Sequence, residues 1–465
     1  MNDEQIRSAF SDCDDFVIRE LNCNGHMLYA YAIDGLVSGS TVSDFVLRPI
    51  SGHLQGRSIK ELYDNAMAGQ IYNCVAKPCK DLMDALTKLV NGFTVVLFPG
   101  AGAIAFETRT GEKRSISSPT VENTVKGPKD AFTETVRTNT SILRRHLRTP
   151  DLRLYGTMVG KNSMTYTIIA WIEGITDPEL VQRMKDRLAA IGEMDLLSPS
   201  SVEEGITGAR ATPFPLLQYT ERSDKFAAGL LSGRVGVLVD GLPLGYLAPV
   251  DLMYLMESPE DLGRDFVGAS AVRVLRYLAL LASLFAPGIY IALAAFHQHL
   301  LPLPMLKSMI ESKQAVPFTT TSEVLGLLIA FELLQESGIH LPQAIGQSVS
   351  VVGGIVVGSA AVEAGIISPM ALIAVSIAGI CGFVLPNRDL ANAVRIWRFG
   401  IAVLSCIGGL YGTLAGAVIL LIHLLSLKSL GLSYLAPTGK ILRPRLKKQK
   451  FRNKHLDPQD RRNQK

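Results

Sequence analysis

The sequence predicts an α+β and α-helical membrane protein: two small cytosolic mixed α/β subdomains followed by a polytopic α-helical membrane domain. Three observations carry this prediction. Long apolar runs fill residues 274–425, too many to bury inside one soluble core of ordinary size. Short strand and helix patterns alternate before them. Charge is unevenly spread, so that a net charge of only +4 over 465 residues conceals a strongly basic stretch, KILRPRLKKQKFRNK, near the end. The organisation expected is 1–125 and 126–255 as the two subdomains, 256–437 as the membrane domain, and 438–465 as a basic polar tail. Residues 1 to about 255 are expected to fold alone as a soluble unit.

In the first subdomain, MLYAYAI (27–33) and FTVVLF (93–98) have the β-branched and aromatic content of strands. Between them KDLMDALTKLV (80–90) places Leu82, Leu86 and Leu89 or Val90 on one helical face. Gly100 and Gly102 form a pair without the rest of a phosphate-binding fingerprint, so they indicate a turn. In the second subdomain a helix is expected from Asp130 to Leu147, with Pro128 just upstream as its start signal. Strands follow at 152–159 and 164–172. Asp177 and Pro178 then open a helix to Ile191. RVGVLV (234–239), Asp240-Gly241 and 242–249 predict a hairpin with a type I′ turn.

At the joint, Ser258 ahead of Pro259, Glu260 and Asp261 predicts a helix start, and Arg264, Arg273 and Arg276 place the first crossing's beginning on the cytosolic side. The N-terminal MNDEQIRSAFSDCDDF lacks an apolar segment, which predicts that the region after it stays cytosolic. Four crossings are expected, at 276–297, 345–362, 370–385 and 401–425, each long enough at a helical rise for a hydrocarbon core of roughly 30 Å. VLGLLIAFELL (324–334) carries Glu332 and follows Glu323, and its shortness predicts a re-entrant or interfacial half-helix, or a crossing completed by polar residues. Four crossings return the tail to the cytosol but leave Arg388, Arg395 and Arg398 in an outer loop, so 387–399 is expected to lie along the interface.

A water-facing path through such a domain needs polar groups, because a lone carboxylate in lipid costs several kcal/mol. Glu323, Glu332, Gln347 and Ser350 are the candidate pore or cavity lining, with Ser348, Ser359 and Glu363 as weaker ones; Glu332 alternatively pairs with an Arg or His or lies at the interface, and Glu363 suits a solvated loop. Gly354, Gly358, Gly408, Gly412 and Gly416 recur one turn apart, which suits close helix packing within a subunit or between subunits. His297, His299 and His340 sit at run ends, where polar caps are the ordinary role. Cys13, Cys23, Cys74, Cys79, Cys381 and Cys406 lack paired ligand spacing, so no metal site or cofactor is expected. No GxSxG, HExxH or P-loop motif is present, which argues against an enzyme. The basic tail lacks the aromatic interleaving of a nucleic-acid surface and suits the cytosolic face of a lipid membrane.

Several strings resemble one family, the A subunits of bacterial spore nutrient-germinant receptors (the GerA family). They are KGPKDAFTETVRTNTSILRRHLRTPDLR from Lys126, WIEGITDPELVQRM from Trp171, PFPLLQYTERSDKFAAGLLSGRVGVLVDG from Pro213 and SPEDLGRDF from Ser258. The apolar region adds PGIYIALAAFH, GIHLPQAIGQSVSVVGGIVVGSAAVEAGIISP and PNRDLANAVRIWRFG, so the likeness runs from about residue 25 to 437. The resemblance implies a subunit of a receptor in the spore inner membrane, working with a permease-like B subunit and a lipoprotein C subunit. It further implies a homo-oligomer that forms or gates an ion-conducting path once nutrient is sensed. A secondary transporter would show more crossings and paired broken segments; a membrane enzyme without a recognisable motif is the third reading.

Overall fold

The computed structural model describes residues 1–71, 75–110, 119, 122, 128–192, 195–208, 211–314, 316–339 and 358–435. Two five-stranded antiparallel sheets come first, then a helical bundle. The first sheet comprises β1 (Phe16–Cys23), β2 (His26–Ile33), β3 (Ala76–Cys79), β4 (Phe93–Phe98) and β5 (Gly102–Glu107), in the order β1-β2-β4-β5-β3. The apolar run FTVVLF is buried along its whole length because both faces of the sheet are covered. Val95 and Leu97 face α1 (Asp3–Ala9) and α3 (Leu82–Val90), whereas Val96 and Phe98 face α2 (Ile59–Asn65). The expected stripe of Leu82, Leu86 and Leu89 is the buried face of α3 together with Ala85, apart from a half-buried Leu82.

The second sheet contains β6 (Leu152–Val159), β7 (Thr165–Ile172), β8 (Gln218–Thr220), β9 (Val235–Val239) and β10 (Gly245–Ala248), ordered β6-β7-β9-β10-β8. Its helices are α4 (Val136–His146), α5 (Pro178–Ala189), α6 (Pro199–Thr207) and α7 (Ser223–Leu231). Asp177 caps α5 by accepting from the Glu179 N–H at 3.1 Å. α4 begins six residues later than expected, since Asp240 accepts from Val136 N–H at 2.9 Å and Asn139 ties down Thr133 at 2.7 Å. Long-range partners, absent from local patterning, decide that boundary. The β9–β10 connection runs from Asp240 to Leu244 with Gly241 at φ +86°, longer than a two-residue turn.

Ser258 caps only a single 3-10 turn, Pro259–Gly263; Asp265 caps the long helix α8 (Phe266–Ile291), which continues as a wider turn to Phe296. After it come α9 (Leu303–Lys313), α10 (Thr320–Ile339), α11 (Pro369–Phe383) and α12 (Arg388–Ser426). The expected half-helix 324–334 is thus the middle of a 20-residue helix, whose polar start and Glu332 hide its length from a hydropathy reading. Residues 266–296 and 388–426 are, among the described residues, long and apolar enough to cross a membrane, and 369–383 is a shorter apolar helix.

The 39 residues of α12 do not form one rod. At Gly409 the backbone takes φ +57° and ψ −130°, a region essentially reserved for glycine, and the chain turns back on itself. The rings of Trp397 and His423 lie 5.3 Å apart, whereas a straight helix would hold these residues about 39 Å apart. Ser405 and Thr413 hydroxyls meet at 2.8 Å across the two arms. The run 401–425, expected as one crossing, is therefore a helical hairpin whose first arm takes in the segment 387–399 that was expected to lie along the interface. A strand pair, β11 (Lys428–Ser429) and β12 (Leu432–Ser433), follows at the foot of the hairpin.

Candidate functional site in the helical bundle

Charged groups meet inside the apolar bundle. Glu332 on α10 accepts from Arg398 Nη2 at 2.9 Å, and Arg395 Nε lies 3.3 Å from its other oxygen. Arg395 also donates to Gln335, one turn further along α10. Arg398 is 2% exposed, so withdrawing Glu332 would strand its charge. Of the arrangements open to Glu332, the contacts seen are those of a pair with arginine. Arg395 and Arg398 stand three apart on one helical face, and Glu332 and Gln335 likewise; that matched spacing is the signal the sequence offered and the reading of 387–399 as an interfacial segment obscured.

Glu323 occupies the opposite end of α10. It is 4% exposed and accepts through Oε1 from the backbone N–H of Ser368, the residue that caps α11, while Oε2 has no hydrogen-bond partner. Glu363 and Ser359 are exposed. Gln347, Ser348, Ser350, Gly354 and His340 lie outside the described residues. Gly412 and Gly416 face the other arm of the hairpin: a Cβ at Gly412 would stand 2.0 Å from the Leu404 carbonyl oxygen, and one at Gly416 3.0 Å from Ile401. Gly358 faces Leu372 at 3.5 Å, and Gly408 has open space. His297 packs at the hairpin apex, 6.1 Å from the Tyr411 ring and 5.9 Å from His299. Cys13, Cys23, Cys79, Cys381 and Cys406 are free thiols, and Cys74 lies outside the described residues.

The foot of the hairpin is fastened to the second sheet. Asn387 caps α12 with its oxygen and donates from Nδ2 to Gln218 of β8 at 2.9 Å. Trp397 packs against Phe214, with ring centroids 6.4 Å apart, and the His423 ring meets the Thr212 hydroxyl at 2.9 Å. Ser429 of β11 donates to Leu216 O at 2.6 Å and accepts from Val250 N–H at 2.9 Å. One apolar core consequently runs from Ile168 and Leu238 of the sheet through Phe214, Leu216 and Leu255 to Leu390, Val394 and Leu424 of the hairpin.

Two further ion pairs fix the joints. Arg276 of α8 grips both oxygens of Asp261, at 2.7 and 2.9 Å. Burial pushes the Asp261 carboxyl up, but the hydrogen bonds from Arg276 and the Ser258 backbone outweigh it and hold the group below the usual carboxylate range. Between the two sheets' units, Arg144 donates twice to Asp15, at 2.7 and 2.8 Å, with Cys13 Sγ beside it.

A two-sheet module welded to an apolar bundle with buried charges defines the general class, a membrane-associated protein with a substantial polar domain. The chain belongs to the Bacillus/Clostridium GerA spore germination protein family, whose model matches residues 4–464. This extends the likeness seen in residues 25–437 almost to both ends. In Bacillus subtilis (strain 168) it is 33% identical to the uncharacterized membrane protein YfkQ, over 96% of this chain and 87% of that one. It is 33% identical to spore germination protein KA (94% and 81%) and 36% identical to spore germination protein A1 (78% and 76%) from the same organism. A crystal structure of the N-terminal domain of the A subunit of the Bacillus megaterium spore germinant receptor GerK3 aligns at a TM-score of 0.41 and 25% identity, covering 53% of this chain and 92% of that domain.

Proposed function

We propose that the chain is the A subunit of a germinant receptor in the spore inner membrane, and that it oligomerises to form or gate an ion-conducting path. Its partners in this reading are a permease-like B subunit and a lipoprotein C subunit, and it is a receptor component with no enzymatic role. Family membership supports the receptor assignment. The observation that carries the gating role is the Glu332–Arg395–Arg398 cluster, because the hairpin arm that holds its arginines also holds Asn387 and Trp397, which touch the second sheet. A shift of the sheet module therefore pulls on the same helix that pairs with Glu332. Such a two-ended element is what coupling between sites requires.

The hairpin also supports a topology in which the basic clusters share one side. In this reading α8 leaves the sheet side, α10 and α11 both run back toward it, and the two arms of α12 go out and return. Ser368, beside Glu323, marks the end away from the sheets as the start of both α10 and α11. Arg388, Arg395, Arg398 and the basic tail then all belong to the cytosolic half, as the positive-inside bias favours. Gly412 and Gly416 close the hairpin within one subunit; Gly408, with open space beside it, remains available for contact between subunits.

The experiment is cation release from nutrient-triggered spores carrying Glu332→Gln at matched receptor level. The reading predicts impaired release. Release at the normal rate from a receptor that still assembles would remove Glu332 from the gating path.

A further inference from the structure

We propose that Glu323, Ser368, Tyr290 and Thr320 build a binding site for one monovalent metal cation at the end of the bundle away from the sheets. Glu323 is buried next to Val324, which belongs to the apolar cluster of Ile291, Leu328, Ala371 and Val375, and only one of its oxygens is satisfied, by the Ser368 N–H. A buried carboxylate oxygen without a donor is costly, so the site is built for something that is not part of the chain. Hydroxyl-bearing residues stand on the elements beside it. Tyr290 of α8 packs against the same apolar cluster. Thr320 lies one turn before Glu323 on α10 and is itself buried.

The donor set fixes the class of ligand. A single carboxylate with hydroxyl oxygens matches the charge and hardness of sodium or potassium, whereas calcium or magnesium sites recruit more anionic oxygens. Lys313 is the resident competitor: its ammonium contacts the hydroxyl of Thr320, one turn before Glu323. A cation that takes the free oxygen leaves Lys313 on Thr320; without it, Lys313 is the nearest positive charge. This site lies far along α10 from Glu332, and its occupancy does not depend on the conduction reading.

The test uses the full chain purified in detergent, with Tm followed in KCl or NaCl against N-methyl-D-glucamine chloride at equal ionic strength. Wild-type protein is expected to show a saturable rise in Tm with the metal cation, and Glu323→Gln to lose it, while Glu363→Gln, at an exposed position, keeps it. Lys313→Met removes the competitor and is expected to lower the half-saturating concentration severalfold, a result that does not require the Glu323 variant to fold. Absence of a saturable rise in wild type, an equal rise in Glu323→Gln, or an unchanged midpoint in Lys313→Met would each overturn the site.

Discussion

Arg144 and Asp15 are 129 positions apart in sequence, and their pairing is 0% and 7% exposed. Removing one partner of such a pair leaves an uncompensated buried charge and costs about 3–5 kcal/mol. Asp15→Asn should therefore lower the denaturant midpoint of the sheet module strongly, whereas the double replacement Asp15→Leu with Arg144→Met should recover much of the loss. Denaturant unfolding followed by circular dichroism separates the two. The N-terminal acidic stretch shows Asp15 as one carboxylate among several; nothing local announces a partner so distant.

Asp261 gives a pH prediction. Its folded-state pKa is depressed, so the stabilisation it provides is fully present above the unfolded carboxylate value of about 3.9 and is lost as pH falls through the lower folded value. Acid unfolding of wild type should show an extra loss of stability below about pH 4. Asp261→Asn should be less stable at neutral pH and lack that part of the acid slope. Parallel slopes in the two proteins would contradict the assignment.

At the scale of elements, the sequence disclosed what local pattern encodes. FTVVLF and the helix opened by Asp177-Pro178 were legible because strand composition and capping chemistry are local. The hairpin was not, because an unbroken apolar run reads the same whether it continues or reverses. Its one signal was the Gly408-Gly409 doublet. A Cβ at Gly409 would also stand 2.8 Å from that of Phe296, so Gly409→Ala should cost about 1–3 kcal/mol from backbone strain alone. Gly412→Leu should separate the arms, since its side chain would meet the Leu404 carbonyl. Trp397 fluorescence in a Trp171→Phe background reads that separation as a red shift; unchanged emission would argue against it.

Over the whole molecule, the second sheet and the hairpin share one core, which the expectation of a self-sufficient soluble region ending near residue 255 did not foresee. The faces of Phe214, Leu216, Tyr254 and Leu255 are covered by residues more than a hundred positions later, so composition could place a boundary there but could not show what crosses it. A fragment ending at 255 should consequently bind an apolar dye that the full chain excludes, with the first sheet's unfolding little altered. The Glu332 cluster was half legible: the carboxylate stood out in its apolar run, while its arginines were assigned to a different surface because the reversal at Gly409 was hidden.

That reversal underlies the link from sheet to bundle and the proposed placement of both basic clusters on the cytosolic side. Tyr411, at its apex and 79% exposed, is the place to test it. In a cysteine-free chain inserted in sealed vesicles, a membrane-impermeant maleimide should label Tyr411→Cys only from the face opposite that which labels a cysteine in the 438–465 tail. Labelling of both positions from the same face would contradict the account.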